Sequence, residues 1–75
     1  MIIVTRLDHT RFAVNPDLIE RVHEAPDTTL HVVGGRVYVI QESLPALIDL
    51  IVEYRARVLA SAQTLAQHQQ QQSEA

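Results

Sequence analysis

Apolar and polar positions alternate along the first forty residues, and turn residues break the alternation at short intervals. That pattern predicts short strands. Ile2 to Leu7 is the first, rich in β-branched residues, with Ile2 and Val4 on one face. Asp8-His9-Thr10 reads as a turn. Arg11 to Val14 is the second strand, with Phe12 and Val14 sharing a face. Asn15-Pro16-Asp17 then predicts a single helical turn, because Asn caps well and Pro suits the first position. Leu18 to Glu24 is a third strand whose adjacent Leu18 and Ile19 break the alternation, which a bulge would accommodate. Ala25 to Thr28 is a proline turn. Thr29 to Val33 is the fourth strand, with Leu30 and Val32 inward. Gly34-Gly35 reads as a two-residue hairpin loop, since both glycines tolerate positive φ. Arg36 to Ile40 is the fifth strand, with Val37 and Val39 on one face and Tyr38 on the other.

From Ser43 the period changes to that of a helix. Ser43 is a good N-cap, and Pro45 falls in the first turn, where a missing N–H costs nothing. Leu44, Leu47, Ile48, Ile51, Val58 and Ala62 follow helical spacing, as do Leu50, Tyr54 and Leu65, with Val52 and Leu59 on the shoulder. These positions cover about 200° of the circumference, whereas a helix lying on a sheet needs roughly 100°. The expected fold is therefore α+β: a small antiparallel meander of about five strands followed by one C-terminal helix. The surplus apolar arc predicts a homo-oligomer, with Leu44, Leu47, Leu50, Ile51, Tyr54 and Val58 as interface candidates. Residues 1–60 form the expected domain. Residues 61–75, with the run Gln69 to Gln72, form a glutamine-rich tail that is either a helix end or disordered.

Composition narrows the function. The chain has 75 residues, no cysteine and a net charge of −3. One small core is marginal by itself, and neither disulfides nor a thiolate zinc site can reinforce it. Oligomerisation is the remaining source of burial. The opening Met1-Ile2-Ile3-Val4-Thr5-Arg6 lacks the plan of a signal peptide, and no apolar stretch reaches the roughly 20 residues of a membrane span, so a cytoplasmic protein is expected. The six basic residues are all arginine and are dispersed (Arg6, Arg11, Arg21, Arg36, Arg55, Arg57). A basic stripe is missing and the acidic balance repels phosphate, so a nucleic-acid-binding β-sheet regulator is the alternative and not the first reading.

Candidate chemistry is sparse. The four histidines include no i, i+3 or i, i+4 pair. His23 and His31 could meet across the Pro26-Asp27 hairpin, but two ligands make a weak site, so both are expected as exposed strand residues and no metal is expected. The carboxylates fall mostly at turns and caps, and so short a chain has little room for a water-excluding cleft. No catalytic residues, cofactor or small-molecule substrate are expected. Arg55 lies inside the apolar arc, either extending to solvent or pairing with a carboxylate such as Glu20 or Glu42. Arg36 and Tyr38 are the partner-surface candidates if both face outward from the fifth strand, since arginine and tyrosine favour binding hot spots; alternation alone equally allows Tyr38 to pack under the helix.

The order of landmarks carries a resemblance. Met1-Ile2 to Leu7, Phe12, Asn15 to Ile19, Glu20, Pro26-Asp27-Thr28, Gly35, Tyr38-Val39, Glu42-Ser43 and Glu53-Tyr54-Arg55 follow one another as in the FlbD family, also called swarming motility protein SwrD. The chain resembles that family over about residues 1–57. Where relatives usually read Leu-Asn-Gly and Asn-Gly at the two turns, this chain has Leu7-Asp8-His9 and Gly34-Gly35. Lysines common in relatives are missing, and the glutamine tail has no counterpart. The resemblance implies a non-enzymatic flagellar accessory that supports motor power and swarming through contacts with a motor or stator component.

Overall fold

The computed structural model describes the backbone of residues 1–74 and the side chains of residues 1–67. Five strands form: β1 (Ile2–Thr5), β2 (Arg11–Val14), β3 (Ile19–Glu24), β4 (Thr28–Val32) and β5 (Val37–Ile40). One helix, α1 (Leu44–Glu74), follows. The expected α+β class and its C-terminal helix are observed. The strands divide between two antiparallel sheets, β1-β2 and β3-β4-β5. The sheets touch at one bridge between Arg6 and Ile40, with the Gln41 N–H donating to the Thr5 carbonyl at 2.8 Å.

Local chemistry explains each joint. The side chain of Asn15 accepts from the Asp17 N–H at 3.0 Å and starts a 3-10 turn over Pro16–Leu18. That turn takes Leu18 out of the third strand, and the expected irregularity appears as a register shift between Ile19 and Arg21. The turn after β3 contains a cis Ala25–Pro26 peptide. The β4–β5 loop has four residues, Val33 to Arg36, not two, and the Val33 N–H donates to the Leu18 carbonyl at 2.8 Å, which holds Val33 beside β3. Gly34 and Gly35 then turn the chain with φ of +94° and +87°, conformations that cost glycine little. In the first hairpin His9 has φ +71°, so a residue with a Cβ stands in the left-handed region where a glycine would be unstrained.

The core lies between the sheets and the first half of α1. Ile2, Val4, Val14, Leu30, Val32, Ile40 and Leu47 are buried. Phe12, Ile19, Val22, Tyr38, Leu50, Ile51 and Tyr54 pack around them. Ser43 caps the helix, its Oγ accepting from the Ala46 N–H at 3.2 Å. The Glu24 carboxylate accepts the Leu44 N–H at 2.9 Å, placing a negative charge at the helix N-terminus. The helix outruns the core. At about 1.5 Å per residue it is roughly 46 Å long, and the molecule measures 57 × 23 × 20 Å. The glutamine-rich segment continues this helix, whose backbone is helical through Glu74. No helix among the described residues is long and apolar enough to cross a membrane.

The structure redistributes the helical residues expected at an oligomer interface. Leu47 is 1 % exposed under its own sheet. Leu50, Ile51 and Tyr54 are half-buried against the same core, and Leu44 is also half-buried. The sheets need these side chains for their own burial, so within that set only Val58, 48 % exposed, stands open.

Two predictions follow from these contacts. Leu30 is fully buried at the centre of β4. Leu30→Asp should cost about 4 kcal/mol or more and unfold the domain. Val37→Lys, on the outward face of β5, should cost less than about 1 kcal/mol. Thermal melting of the two variants distinguishes this register from one slipped by a residue, which would exchange their effects.

The second concerns Glu42, which binds Thr5 through its N–H at 2.8 Å and its hydroxyl at 2.9 Å. Burial raises the Glu42 carboxyl pKa, but the hydrogen bonds from Thr5 and from its own N–H, with the charge of Arg11, outweigh burial and hold it below its ordinary value of 4.5. A carboxyl lowered in the folded state stabilises above its unfolded pKa and loses that contribution as pH falls through the folded one. The melting-temperature gap between the wild type and Glu42→Gln should therefore be widest near neutrality and shrink below about pH 4.5. A gap that stays constant down to about pH 3 would exclude this role for Glu42.

Candidate functional site

A groove of about 430 Å³ opens between β2 and the β4–β5 hairpin. Its existence follows from the topology. The only ladder partner of β2 is β1, which leaves its other edge unpaired among the described residues. The Arg6 N–H donates to the Thr10 carbonyl at 2.8 Å, so the alternation of an antiparallel ladder turns the backbone groups of Phe12 and Val14 toward β1. Those of Arg11 and Ala13 then point outward along the free edge. An unpaired edge of this kind is able to accept a further extended segment.

The walls of the groove are mainly apolar. Phe12, Ala13 and Val14 form one side, Val32, Val33 and Tyr38 the other, with Met1 and Leu18 at the margins. Arg36 is the charged residue in the lining. The two partner-surface candidates therefore border one groove, and of the two orientations open to Tyr38 the inward one is observed. Arg36 is exposed, while Tyr38 faces inward. Ile40 must be buried, and Tyr38 lies two residues before it on the same face of β5. The outward face of β5 carries Val37 and Val39. The Tyr38 ring lies 5.1 Å from that of Phe12, centroid to centroid, tilted by 43°. The Arg6 guanidinium covers both rings, 4.8 Å from the Phe12 centroid and 5.6 Å from that of Tyr38. Such an exposed cation–π contact contributes about 0.5–1 kcal/mol.

The other candidates fall elsewhere. His23 and His31 do approach across the β3–β4 hairpin, with ring centroids 5.0 Å apart. No group of three or more potential metal ligands occurs among the described residues. His31 is half-buried, not exposed, and its Nε2 is buried without a hydrogen-bond partner. Burial, then the charges of Arg21 and His23, lower its pKa against the opposing effect of Glu20, which favours the neutral imidazole. Arg55 pairs with Asp17 at 3.0 Å, an acid outside the two considered from sequence, and both side chains are more than half exposed. A pair so exposed adds little stability. Asp8, in the first hairpin, accepts from the hydroxyl and N–H of Thr10, which hold its carboxyl below the usual range.

Sequence reasoning missed the opposite wall of the groove. Leu18, Val32 and Val33 come to face Val14 across the groove only because two sheets converge, and no local signal marks that convergence. The groove offers apolar area, one guanidinium and an unpaired strand edge. These are means of holding a segment of another protein.

The comparisons agree with the residue pattern. Residues 1–59 match the model of the FlbD family, described as flagellar and swarming motility proteins. No curated protein and no solved structure matches the chain. The matched span contains both sheets, every residue lining the inter-sheet groove and the part of α1 that packs on the core. The chain belongs to the FlbD family of flagellar and swarming motility proteins.

Proposed function

We propose that this protein is a non-enzymatic accessory of the flagellar apparatus that supports motor power and swarming through protein–protein contacts. It acts in the cytoplasm, at the cytoplasmic face of the motor, on a motor or stator component. It uses no cofactor and no small-molecule substrate, and it works as a homo-oligomer. One observation carries the contact reading: the inter-sheet groove places Arg36 beside an apolar wall and the unpaired edge of β2. A guanidinium on the rim of an apolar cleft suits a partner segment that brings a carboxylate among apolar side chains.

Complementation of a deletion strain tests this reading. Tyr38 packs on the core, so its truncation would confuse folding with binding; Arg36 and Val33 are exposed and lie in the groove. Arg36→Glu combined with Val33→Asp should leave the fold intact and weaken partner binding by about 2 kcal/mol, a typical hot-spot loss of roughly 30-fold. Filaments should assemble normally while swimming speed and swarming fall toward those of the deletion strain. Full speed and full swarming from the folded double variant would remove the groove from the functional account.

A further inference from the structure

β1 and β5 meet at the Arg6–Ile40 bridge, so β2 and β3 are the outer strands, and their edges differ. β3 has a register shift between Ile19 and Arg21 and carries Glu20 and Glu24. Irregularities and charges of this kind discourage a foreign strand from pairing. β2 keeps an unbroken register with β1 from Arg11 to Val14 and contains neither proline nor lysine. Ala13, small and exposed, leaves its outer edge open. Arg11 and Ala13 each present an N–H and a carbonyl along that edge. We propose that an extended segment of a partner protein, alternating apolar and acidic residues, pairs antiparallel with β2 as a third strand of its sheet. The proposal rests on the partner-contact reading above and adds the mode of contact and the chemistry of the partner.

Charge selects the occupant. The chain carries a net −3, yet both ion pairs among the described residues use helix arginines, Arg55 with Asp17 and Arg57 with Glu53. Three of the other four arginines border the free edge, and none of these three is in an ion pair. Arg11 projects from β2 itself, beside Ile3 and Ala13. Arg36 lines the inter-sheet groove, and Arg6 covers the rings of Phe12 and Tyr38. The charges of Arg6 and Arg11 reach Asp8 and Glu42, but those carboxylates already accept hydrogen bonds from Thr10 and Thr5. An acidic protein that gathers its unpaired arginines around one strand edge presents a local positive field to carboxylates.

Alternation then assigns the faces of the added strand. Phe12 and Val14 turn toward the core, so Arg11 and Ala13 face away from it. Residues directly opposite one another in an antiparallel pair share a face. Partner residues opposite Arg11 and Ala13 therefore exchange backbone hydrogen bonds with them and lie on the arginine side. Carboxylates at those positions meet Arg11. The intervening partner residues enter the groove among Phe12, Val14, Val32 and Val33, where apolar side chains fit. A second copy of this chain suits the edge poorly. Twofold pairing of two β2 strands would crowd Arg6, Arg11 and Arg36 of both copies together, and like charges across a sheet destabilise it. β2 has four residues, so the contact is short, as in a weak and exchanging complex.

Peptide binding to the intact chain tests the arrangement. The probes are acetylated and amidated peptides of about eight residues, alternating valine with glutamate or valine with lysine. In amide NMR spectra the glutamate peptide should shift the Arg11 and Ala13 signals and protect both N–H groups from exchange. It should bind about tenfold or more tighter than the lysine peptide, although the net charge of the chain favours lysine. Arg11→Gln and Arg36→Glu, both at exposed positions, should each weaken the glutamate peptide about threefold or more.

Backbone methylation decides whether the peptide adds as a strand. N-methyl groups on the central glutamates remove the N–H groups that face β2 and should abolish binding. N-methyl groups on the central valines block only the far edge and should change binding by less than about threefold. This comparison uses the wild-type chain, so it decides even where an arginine variant folds poorly. Equal effects of the two methylations, or the reverse order, overturn the proposal. So does a lysine peptide that binds as tightly as the glutamate one, or a failure to protect Arg11 and Ala13 at about 1 mM glutamate peptide. Protection of these amides that grows with protein concentration alone would place a second copy on the edge and overturn it as well. The motility test of the Arg36→Glu and Val33→Asp double variant is independent. If that variant loses swarming while the two methylations act equally, the groove stays in the functional account and only strand addition is removed.

Discussion

Thr5 holds the two sheets and the helix in register. Its carbonyl accepts from the Gln41 N–H at 2.8 Å, joining the β1-β2 hairpin to the end of β5. Its N–H and hydroxyl both donate to the Glu42 carboxylate, immediately before the helix cap. Such bonds to an ionised acceptor are stronger than neutral ones. Gln41 adds its side-chain amide to the Leu7 carbonyl at 3.3 Å. Glu24 holds the Leu44 N–H from the other sheet. These polar contacts converge where β5 becomes α1, and they fix the angle at which the helix leaves. Leu47 joins Val4, Leu30 and Ile40 in the buried cluster because that angle is fixed, and the apolar core closes behind the polar joint.

Much of this was legible in the chain, and the reasons differ between elements. Strand positions and the helix start were readable because alternation, Asn15, Ser43 and Pro45 act locally. The helix period showed a surplus of apolar surface, which the structure divides between the core and the open stripe beyond Tyr54. The inward facing of Tyr38 was not legible. Alternation relates Tyr38 to Val37 and Val39 but does not say which set is inside; the burial of Ile40 and the neighbouring Phe12 decide it, and Phe12 is 26 residues away. The Arg55–Asp17 pair and the groove between β2 and the hairpin are equally non-local. The four-residue loop before β5 depends on the Leu18 carbonyl, which a local reading of Gly34-Gly35 could not include.

His9 shows how a local rule can be broken at modest cost. A residue with a Cβ at φ +71° is strained, typically by about 1 kcal/mol or somewhat more. The turn nevertheless keeps its shape, because the His9 N–H donates to the Arg6 carbonyl at 3.0 Å, and Asp8 fixes Thr10. The imidazole Nδ1 also lies 3.0 Å from Gln41 Nε2, which ties the first hairpin to the segment bearing Glu42. The strained residue thus contributes to the same joint that Thr5 organises.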